Sequence, residues 1–335
     1  MAGQAVADDG LPRAVIVAGP TASGKSALAL ALAERVGGTV INADSMQVYR
    51  ELRILTARPS PTEEARVPHR LYGVRSAAEP ADAAWFREAA LAAMAEVRAA
   101  GRVPILCGGT GMWLDALVHG IAAIPPVPPA LRAAARALAA AIGAPALHAR
   151  LAQRDPVTAA RLEPGDTQRV IRAWEVLEAT GAGLAVWWQR PAVPPAPWRF
   201  AHVRLDPPRA RVRAAIDARF LAMIEAGALD EVRALGALGL DPALPAMRAH
   251  GVPPLLAAIR GESPLAEAIA RGQAMVRQYA KRQATWFRHH ALASAGWTFT
   301  IDAWLGTDAQ FSEKRMADMF AFIDDFLLTR RTIAG

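Results

Sequence analysis

Short apolar runs alternate with longer amphipathic segments in the first third of the chain. Four runs have the length and composition of buried strands: residues 14–18, 39–43, 71–74 and 103–107. Helical patterns lie between them at residues 25–36 and 81–99. This alternation predicts a parallel sheet flanked by helices. Because parallel strands end at one edge of such a sheet, we expect ligand-binding loops there.

The pattern changes in the middle of the chain. Proline clusters at residues 124–129 and 191–197 enclose helical patterns and no clear strand. Those helical patterns cover residues 130–141, 144–154, 156–162 and 167–180. We therefore predict an all-helical insertion domain at residues 121–197.

Past the insertion, the chain is expected to rejoin the sheet. Residues 200–205 alternate like a strand, and residues 299–301 form a second short candidate. Helical patterns occupy residues 209–226, 229–235, 264–290 and 308–328. The prediction is an α/β catalytic core built from residues 13–120 and 198–335, with a flexible segment at residues 1–12.

The loop after the first strand matches the phosphate-binding pattern G-x-x-x-x-G-K-[ST]. It reads Gly19, Pro20, Thr21, Ala22, Ser23, Gly24, Lys25 and Ser26. Between a strand and a helix, its N–H groups surround an anion, Lys25 adds charge, and the Ser26 hydroxyl is a candidate Mg²⁺ ligand. Lysine occurs elsewhere only at positions 281 and 314, and a compact ammonium suits a phosphate cradle. The sequence predicts a P-loop NTPase-like fold that binds a di- or triphosphate.

Two other strand ends carry candidate chemistry. Asp44 follows the second strand and could hold Mg²⁺ through water, act as a general base, or cap a helix; its position leaves all three open. The fourth strand ends at Cys107 and runs into a glycine-rich turn around Thr110, which permits close approach to a ligand. No aspartate ends this strand, so the metal-holding acid usual in nucleotide hydrolases is missing.

The amino-acid composition indicates which kind of binding partner and which cell compartment to expect. The 335-residue chain has a formal net charge of +7, which favours a polyanionic partner such as nucleic acid. A single cysteine excludes an internal disulfide and fits the cytoplasm. The acidic N-terminus does not resemble a signal peptide, and no uncharged apolar run reaches the ~18 residues of a membrane span. We expect a cytoplasmic monomer with no membrane partner.

Seven motifs occur in an order typical of one family. They are GPTASGKS, ADSMQVY, TARP, PHR at 68–70, GGTG at 108–111, DTQR at 166–169 and RQYAKRQ at 277–283. Together they resemble the tRNA dimethylallyltransferases, also called tRNA isopentenyltransferases, over residues 13–290. The resemblance implies transfer of a dimethylallyl group from dimethylallyl diphosphate to N6 of adenine 37 in the tRNA anticodon loop, with Mg²⁺ as cofactor.

The resemblance also implies residue roles. Asp44 would be the general base, and Thr110 would hydrogen-bond the diphosphate near the breaking C–O bond. The phosphate-binding loop would hold the leaving diphosphate, with Arg219 and Arg277 as further cations. Implied tRNA contacts are Asp44, Ser45, Met46, Gln47, Thr110, Arg132, Gln168, Arg169, Val170, Ile171 and Arg172.

The chain departs from the family pattern in two places. Leu55 and Arg58 replace the Gly and Lys of the usual Gly-Thr-Ala-Lys-Pro, which bears on the conformation of that loop. His250 and Gly251 begin a stretch that replaces a more familiar Gly-Tyr dipeptide and weakens any RNA contact transferred there.

Three other functions remain open. A nucleotide kinase would use the same loop but needs no arginine-rich helical insertion. An adenylate isopentenyltransferase shares the chemistry but acts on a free nucleotide, and such enzymes typically lack the insertion. A non-catalytic RNA-binding adaptor would keep the loop as a relic, which the joint presence of Lys25, Ser26, Asp44 and Thr110 disfavours.

Overall fold

The computed structural model describes residues 10–189, 192–303 and 313–328. The chain divides into two compact units, one made of Met1–Val118 with Ala196–Gly335 and the other of His119–Pro195. The insertion predicted at residues 121–197 differs from the second unit by two residues at each end (119 and 195). Most of the predicted flexible segment, residues 1–12, lies outside the described residues.

The strands and helices are numbered along the chain. The strands are β1 (Arg13–Ala18), β2 (Gly38–Asn42), β3 (His69–Arg70), β4 (Val103–Gly108), β5 (Ile121–Ala122), β6 (Ala192–Val193), β7 (Arg199–Leu205) and β8 (Thr298–Ile301). The helices are α1 (Lys25–Val36), α2 (Pro61–Arg66), α3 (Ala83–Ala99), α4 (Gly111–His119), α5 (Pro129–Ile142), α6 (Ala144–Arg154), α7 (Pro156–Ala159), α8 (Thr167–Thr180), α9 (Leu184–Trp187), α10 (Arg209–Glu225), α11 (Ala228–Ala237), α12 (Val252–Ile259), α13 (Leu265–His289) and α14 (Glu313–Leu328).

A parallel sheet organises the first unit. Its strand order is β3-β2-β4-β1-β7-β8, and each neighbouring pair is parallel. The central strand β1 pairs with β4 on one side and β7 on the other, so that Val17 lies opposite both Cys107 and Val203. The predicted α/β fold with a parallel sheet flanked by helices is confirmed.

Helices cover both faces of this sheet because β1 is apolar on both faces. Ile16 belongs to a core cluster that includes Trp113 of α4. Its neighbour Val17 belongs to a different cluster, which includes Leu32 of α1 and Ile323 of α14. Successive strand residues point to opposite faces, so an unbroken apolar run is what a doubly covered strand requires.

The third strand predicted at residues 71–74 is wrong. The strand is the two-residue segment His69–Arg70, and Leu71 and Gly73 have φ angles of 64° and 62°. These left-handed conformations turn the chain away from the sheet, which a strand cannot do. Asn42 holds the turn, because its Nδ2 donates to the Leu71 carbonyl at 3.1 Å.

The second unit is helical around its own core. Buried Leu147 of α6 and Val170 of α8 belong to one cluster of that core. Its one departure from the predicted all-helical character, within the described residues, is the antiparallel pair of β5 and β6. The helix predicted at residues 156–162 is shorter and ends at Ala159.

Among the described residues, no single helix is long and apolar enough to cross a membrane. Only α5 and α6 taken together satisfy length and composition, and they meet at an angle of 119°.

Gly108 should tolerate no side chain. A Cβ there would lie 2.1 Å from the main-chain carbonyl of Ala43, and main-chain atoms cannot rotate away. We expect Gly108→Ala to lower the free energy of unfolding by about 2 kcal/mol or more, measured by chemical denaturation. Gly296→Ala is the matched control, because a Cβ at Gly296 meets no atom within 4 Å. Equal stability of the two variants would contradict this packing.

Candidate active site

Loops from β2 and β4 meet in direct backbone contact at the carboxyl edge of the sheet. The Ala43 N–H donates to the Cys107 carbonyl at 2.8 Å, and the Thr110 N–H donates to the Ala43 carbonyl at 3.3 Å. This contact brings the two predicted catalytic residues, Asp44 and Thr110, to one place. The Ser45 N–H then donates to Thr110 Oγ1 at 2.9 Å.

The phosphate-binding loop has the geometry that its sequence predicts. It joins β1 to α1, and its backbone is left-handed at Ala22 and Gly24, with φ angles of 60° and 89°. Gly19 is required by packing, since a Cβ there would lie 2.6 Å from the Leu205 carbonyl oxygen. Ser26 is exposed in the first turn of α1.

Two cationic side chains, those of Lys25 and Arg219, lie at this loop and are largely shielded from water. Lys25 Nζ donates to the Pro20 carbonyl at 3.4 Å, and burial lowers the pKa of Lys25 while Asp44 opposes that shift. Arg219 of α10 donates to Thr21 Oγ1 at 2.6 Å, and burial likewise lowers the pKa of Arg219. Desolvated cations beside a ring of N–H groups are a site for an anion.

Gln283 of α13 fixes the position of this loop. Its Oε1 accepts from the Thr21 N–H at 2.8 Å, and its Nε2 donates to the Gly109 carbonyl at 2.8 Å. The side chain is 4% exposed, so both hydrogen bonds are shielded from water. Sequence reasoning missed Gln283 as a site residue, although it ends the RQYAKRQ motif.

Hydrogen bonds to neighbouring residues fix the position of Asp44. Its N–H donates to Asn42 Oδ1 at 2.8 Å, and its Oδ1 accepts from the Met46 N–H at 3.0 Å. In the part of the chain that the structure describes, Oδ2 has no hydrogen-bond partner. Of the three roles that the sequence left open, helix capping is excluded, because Asp44 is followed by a turn.

Asp44 lines a pocket at this edge of the sheet. Its polar lining consists of Thr21, Asp44, Thr56, Arg219, His250 and Tyr279. Its apolar lining includes Met46, Leu55, Ile216, Phe220, Met223 and Val276. A cavity with a carboxylate, a cation and a large apolar wall can hold a ligand that is charged at one end and hydrocarbon at the other.

Tyr279 lines this pocket and is another site residue that sequence reasoning missed. It lies one helical turn before Gln283 on α13 and interacts with the side chains of Thr110 and Gln283. Burial raises the pKa of Tyr279, so its hydroxyl stays protonated. Burial also raises the pKa of the Cys107 thiol to about 11, which agrees with its predicted role as a small buried residue.

Arg277 does not join the Asp44 pocket. It pairs with Asp217 of α10 and lines a second cavity with Pro20 and Lys281. That cavity touches the phosphate-binding loop from another side. A diphosphate contact by Arg277 therefore stays a prediction.

The predicted RNA-contacting residues of the second unit are not all at its surface. Gln168 and Arg169, at the start of α8, and Arg132, on α5, are exposed. Val170 is fully buried against Leu147, so its side chain is not available to RNA in this structure, and a contact with RNA stays a prediction for its main chain alone. The reason is helical periodicity, since adjacent residues point about 100° apart.

Two further residues of α8 that are predicted to contact RNA are partly engaged in contacts within the protein. Ile171 is half-buried and packs against the cluster around Val170, while Arg172 pairs with Glu175 at 3.3 Å. In the first unit, Gln47 Nε2 donates to the Thr56 and Ala57 carbonyls at 2.9 and 2.8 Å. Gln47 therefore shapes the wall of the pocket.

Metal binding would depend on the ligand. The described residues contain no group of three or more His, Cys, Asp or Glu side chains that could hold a metal ion. Ser26 is exposed, and a serine hydroxyl suits Mg²⁺, which keeps several waters and takes phosphate oxygens as ligands. Mg²⁺ binding at Ser26 stays a prediction, in which a bound diphosphate would supply further ligands.

Comparisons with known proteins identify relatives of this chain. A family model described as IPP transferase matches residues 47–290. The chain is 57% identical over 314 residues to the tRNA dimethylallyltransferase of Granulibacter bethesdensis, covering 94% of this chain and 98% of that one. It is 61% identical over 279 residues to the tRNA dimethylallyltransferase of Gluconobacter oxydans, covering 83% and 84%.

Solved structures show the same fold. The tRNA isopentenylpyrophosphate transferase of Bacillus halodurans gives a TM-score of 0.67 at 31% identity, covering 95% of this chain and 99% of that one. A eukaryotic dimethylallyltransferase acting on tRNA gives a TM-score of 0.75 at 24% identity, covering 97% and 81%. The family model and the relatives, which match most of the chain, show that it belongs to the IPP transferase family.

Proposed function

We propose that this enzyme transfers a dimethylallyl group from dimethylallyl diphosphate to N6 of adenine 37 in the anticodon loop of tRNA. The observation that carries the proposal is the pocket in which Asp44, with a free Oδ2, lies beside Arg219 and the phosphate-binding loop. Relatives that are more than half identical to this chain carry the name tRNA dimethylallyltransferase, which supports the same substrates here.

The diphosphate end of the substrate fits the loop. Its oxygens can accept from loop N–H groups while Lys25 and Arg219 neutralise charge that grows as the C–O bond breaks. Mg²⁺ bound through Ser26 and the diphosphate would add to that neutralisation. The apolar wall formed by Met46, Ile216 and Phe220 suits the hydrocarbon end.

Asp44 supplies the proton acceptor. The N6 nitrogen forms a bond to C1 of the dimethylallyl group, the C1–O bond breaks, and diphosphate leaves with the bonding electrons. N6 must also lose a proton, which Asp44 Oδ2 accepts. An exocyclic amine is a weak nucleophile because its lone pair is delocalised, so a positioned base is worth about 10²- to 10⁴-fold in rate.

The acceptor base must leave its RNA stack to reach this pocket. Enzymes that modify a base extrude it and stack it between side chains. Exposed Arg132, Gln168 and Arg169 in the second unit are suited to phosphate contacts on such an RNA. The net charge of +7 supports the same partner.

The first test measures label transfer from radioactive dimethylallyl diphosphate. Unmodified tRNA, AMP and ATP are offered as acceptors in parallel, with Mg²⁺ present or omitted. We expect label in tRNA alone and slower transfer without Mg²⁺. Label in AMP or ATP would favour the adenylate isopentenyltransferase alternative, and ATP turnover without label would favour a kinase.

Loss of the Asp44 charge should stop chemistry and spare binding. Asn keeps an oxygen that can accept from the Met46 N–H, so the turn survives, but the amide cannot take up a proton. We expect Asp44→Asn to lower kcat by about 10²- to 10⁴-fold while the dissociation constant for tRNA changes little. Asp318→Asn, an exposed carboxylate on α14, is the control. Turnover within threefold of the parent would remove Asp44 as the base.

Loss of Gln283 should weaken the diphosphate site. Gln283→Leu leaves the Thr21 N–H and the Gly109 carbonyl without their partner, which costs about 1–3 kcal/mol for each buried group. We expect lower thermal stability and a higher KM for dimethylallyl diphosphate in steady-state assays. Gln153→Leu, at an exposed position of α6, should change neither quantity. An unchanged KM in a destabilised Gln283 variant would limit this residue to a structural role.

A further inference from the structure

His250 is a polar side chain of the Asp44 pocket that the proposed mechanism does not use. Its polar neighbours there are engaged, since Thr21 bonds to Arg219 and Thr56 Oγ1 donates to the Leu52 carbonyl. By contrast, neither ring nitrogen of His250 has a hydrogen-bond partner within the described residues. Its Nδ1 is also buried. A polar group left without a partner beside a ligand cavity points to a ligand as the missing partner.

The ring of His250 is held in place by packing. It lies against Tyr279, with ring centroids 4.5 Å apart and planes inclined by 53°. The following residue, Gly251, has a φ of 104°, and a Cβ there would come within 3.2 Å of Phe220 and Leu55. With Nδ1 shut away from solvent, Nε2 is the nitrogen that remains available to the pocket.

The His250 ring is neutral near pH 7. Burial lowers its pKa, Arg282 lowers it further, and Asp44 opposes both effects. A neutral imidazole has one N–H donor and one acceptor nitrogen. When Nδ1 carries the lone pair, Nε2–H is a hydrogen-bond donor on a residue that lines the pocket.

Adenine offers acceptors that match this donor. Its N6 amine, the group that Asp44 must reach, adjoins ring nitrogen N1 and lies near N7, and both nitrogens accept hydrogen bonds. Asp44 and His250 line one pocket, so a base whose amine meets Asp44 presents a ring nitrogen to other polar groups of that pocket.

We propose that His250 Nε2–H donates to a ring nitrogen of the acceptor adenine and thereby orients its N6 amine toward Asp44. This inference rests on the proposed function. In this role His250 would determine the specificity for the acceptor base. It lies at a position where the chain departs from the family pattern. Among the described residues no hydrogen bond joins His250 to the phosphate-binding loop or to Arg219, so we expect the effect on the RNA substrate and not on dimethylallyl diphosphate.

The test pairs enzyme variants with altered bases. Anticodon stem-loop RNAs carry adenosine, 1-deazaadenosine, 3-deazaadenosine or 7-deazaadenosine at the acceptor position. Each is assayed with the parent enzyme, His250→Leu, which removes the donor, and His250→Gln, whose amide Nε2 keeps one. His289→Leu, an exposed histidine at the end of α13, is the matched control.

One deaza analogue should lower kcat/KM of the parent enzyme by about tenfold, the worth of one hydrogen bond to a site built for it. His250→Leu should lose about tenfold on adenosine and nothing more on that analogue. His250→Gln should recover part of the loss, and the KM for dimethylallyl diphosphate should stay constant in every variant.

Two results would overturn the inference. The first is a parent enzyme that no deaza analogue slows, which decides the matter even if His250→Leu does not fold. The second is a His250→Leu variant that loses the same factor on all four RNAs, or that changes only the KM for dimethylallyl diphosphate. Failure of the parent enzyme on adenosine RNA would instead refute the proposed function.

Discussion

The site depends on the parallel pairing of β2 with β4 and of β4 with β1. This pairing ends three strands at one edge and brings the main chains so close that Gly108 has no room for a Cβ beside Ala43. The phosphate-binding loop, the Asp44 turn and the Thr110 turn leave the sheet at that edge. The carboxylate of Asp44 therefore lies beside the N–H groups of the phosphate-binding loop because of strand pairing alone, and no long loop is needed to bring them together.

Helix α13 supplies the side of the site that the strand ends do not form. Tyr279 and Gln283 are four residues apart, so they lie on one face of the helix. Through them the helix contacts Thr21 of the first loop, and Gly109 and Thr110 of the β4 loop. The pocket is thus built by local strand ends on one side and by a segment about 260 residues away in sequence on the other (283 against 21).

This division explains what the sequence could predict. The phosphate-binding loop and the bounds of α1 and α8 follow from local signals, including glycines that end both helices at Gly37 and Gly181. The role of Gln283 could not be predicted from the sequence, because its hydrogen-bond partners are distant in the chain. No local pattern indicates that a glutamine will bridge two loops. The strand predicted at residues 71–74 failed because an apolar run does not reveal a left-handed φ at Leu71.

The departures from the family pattern at Leu55 and Arg58 are absorbed by packing. Arg58 Nη1 donates to the Tyr49 carbonyl at 3.3 Å, and Gly73 makes space for its guanidinium, since a Cβ there would lie 2.3 Å from it. Leu55 joins the apolar wall of the pocket. Leu55 therefore shapes the pocket, whereas Arg58 donates to main-chain carbonyls and adds no charge to the pocket lining.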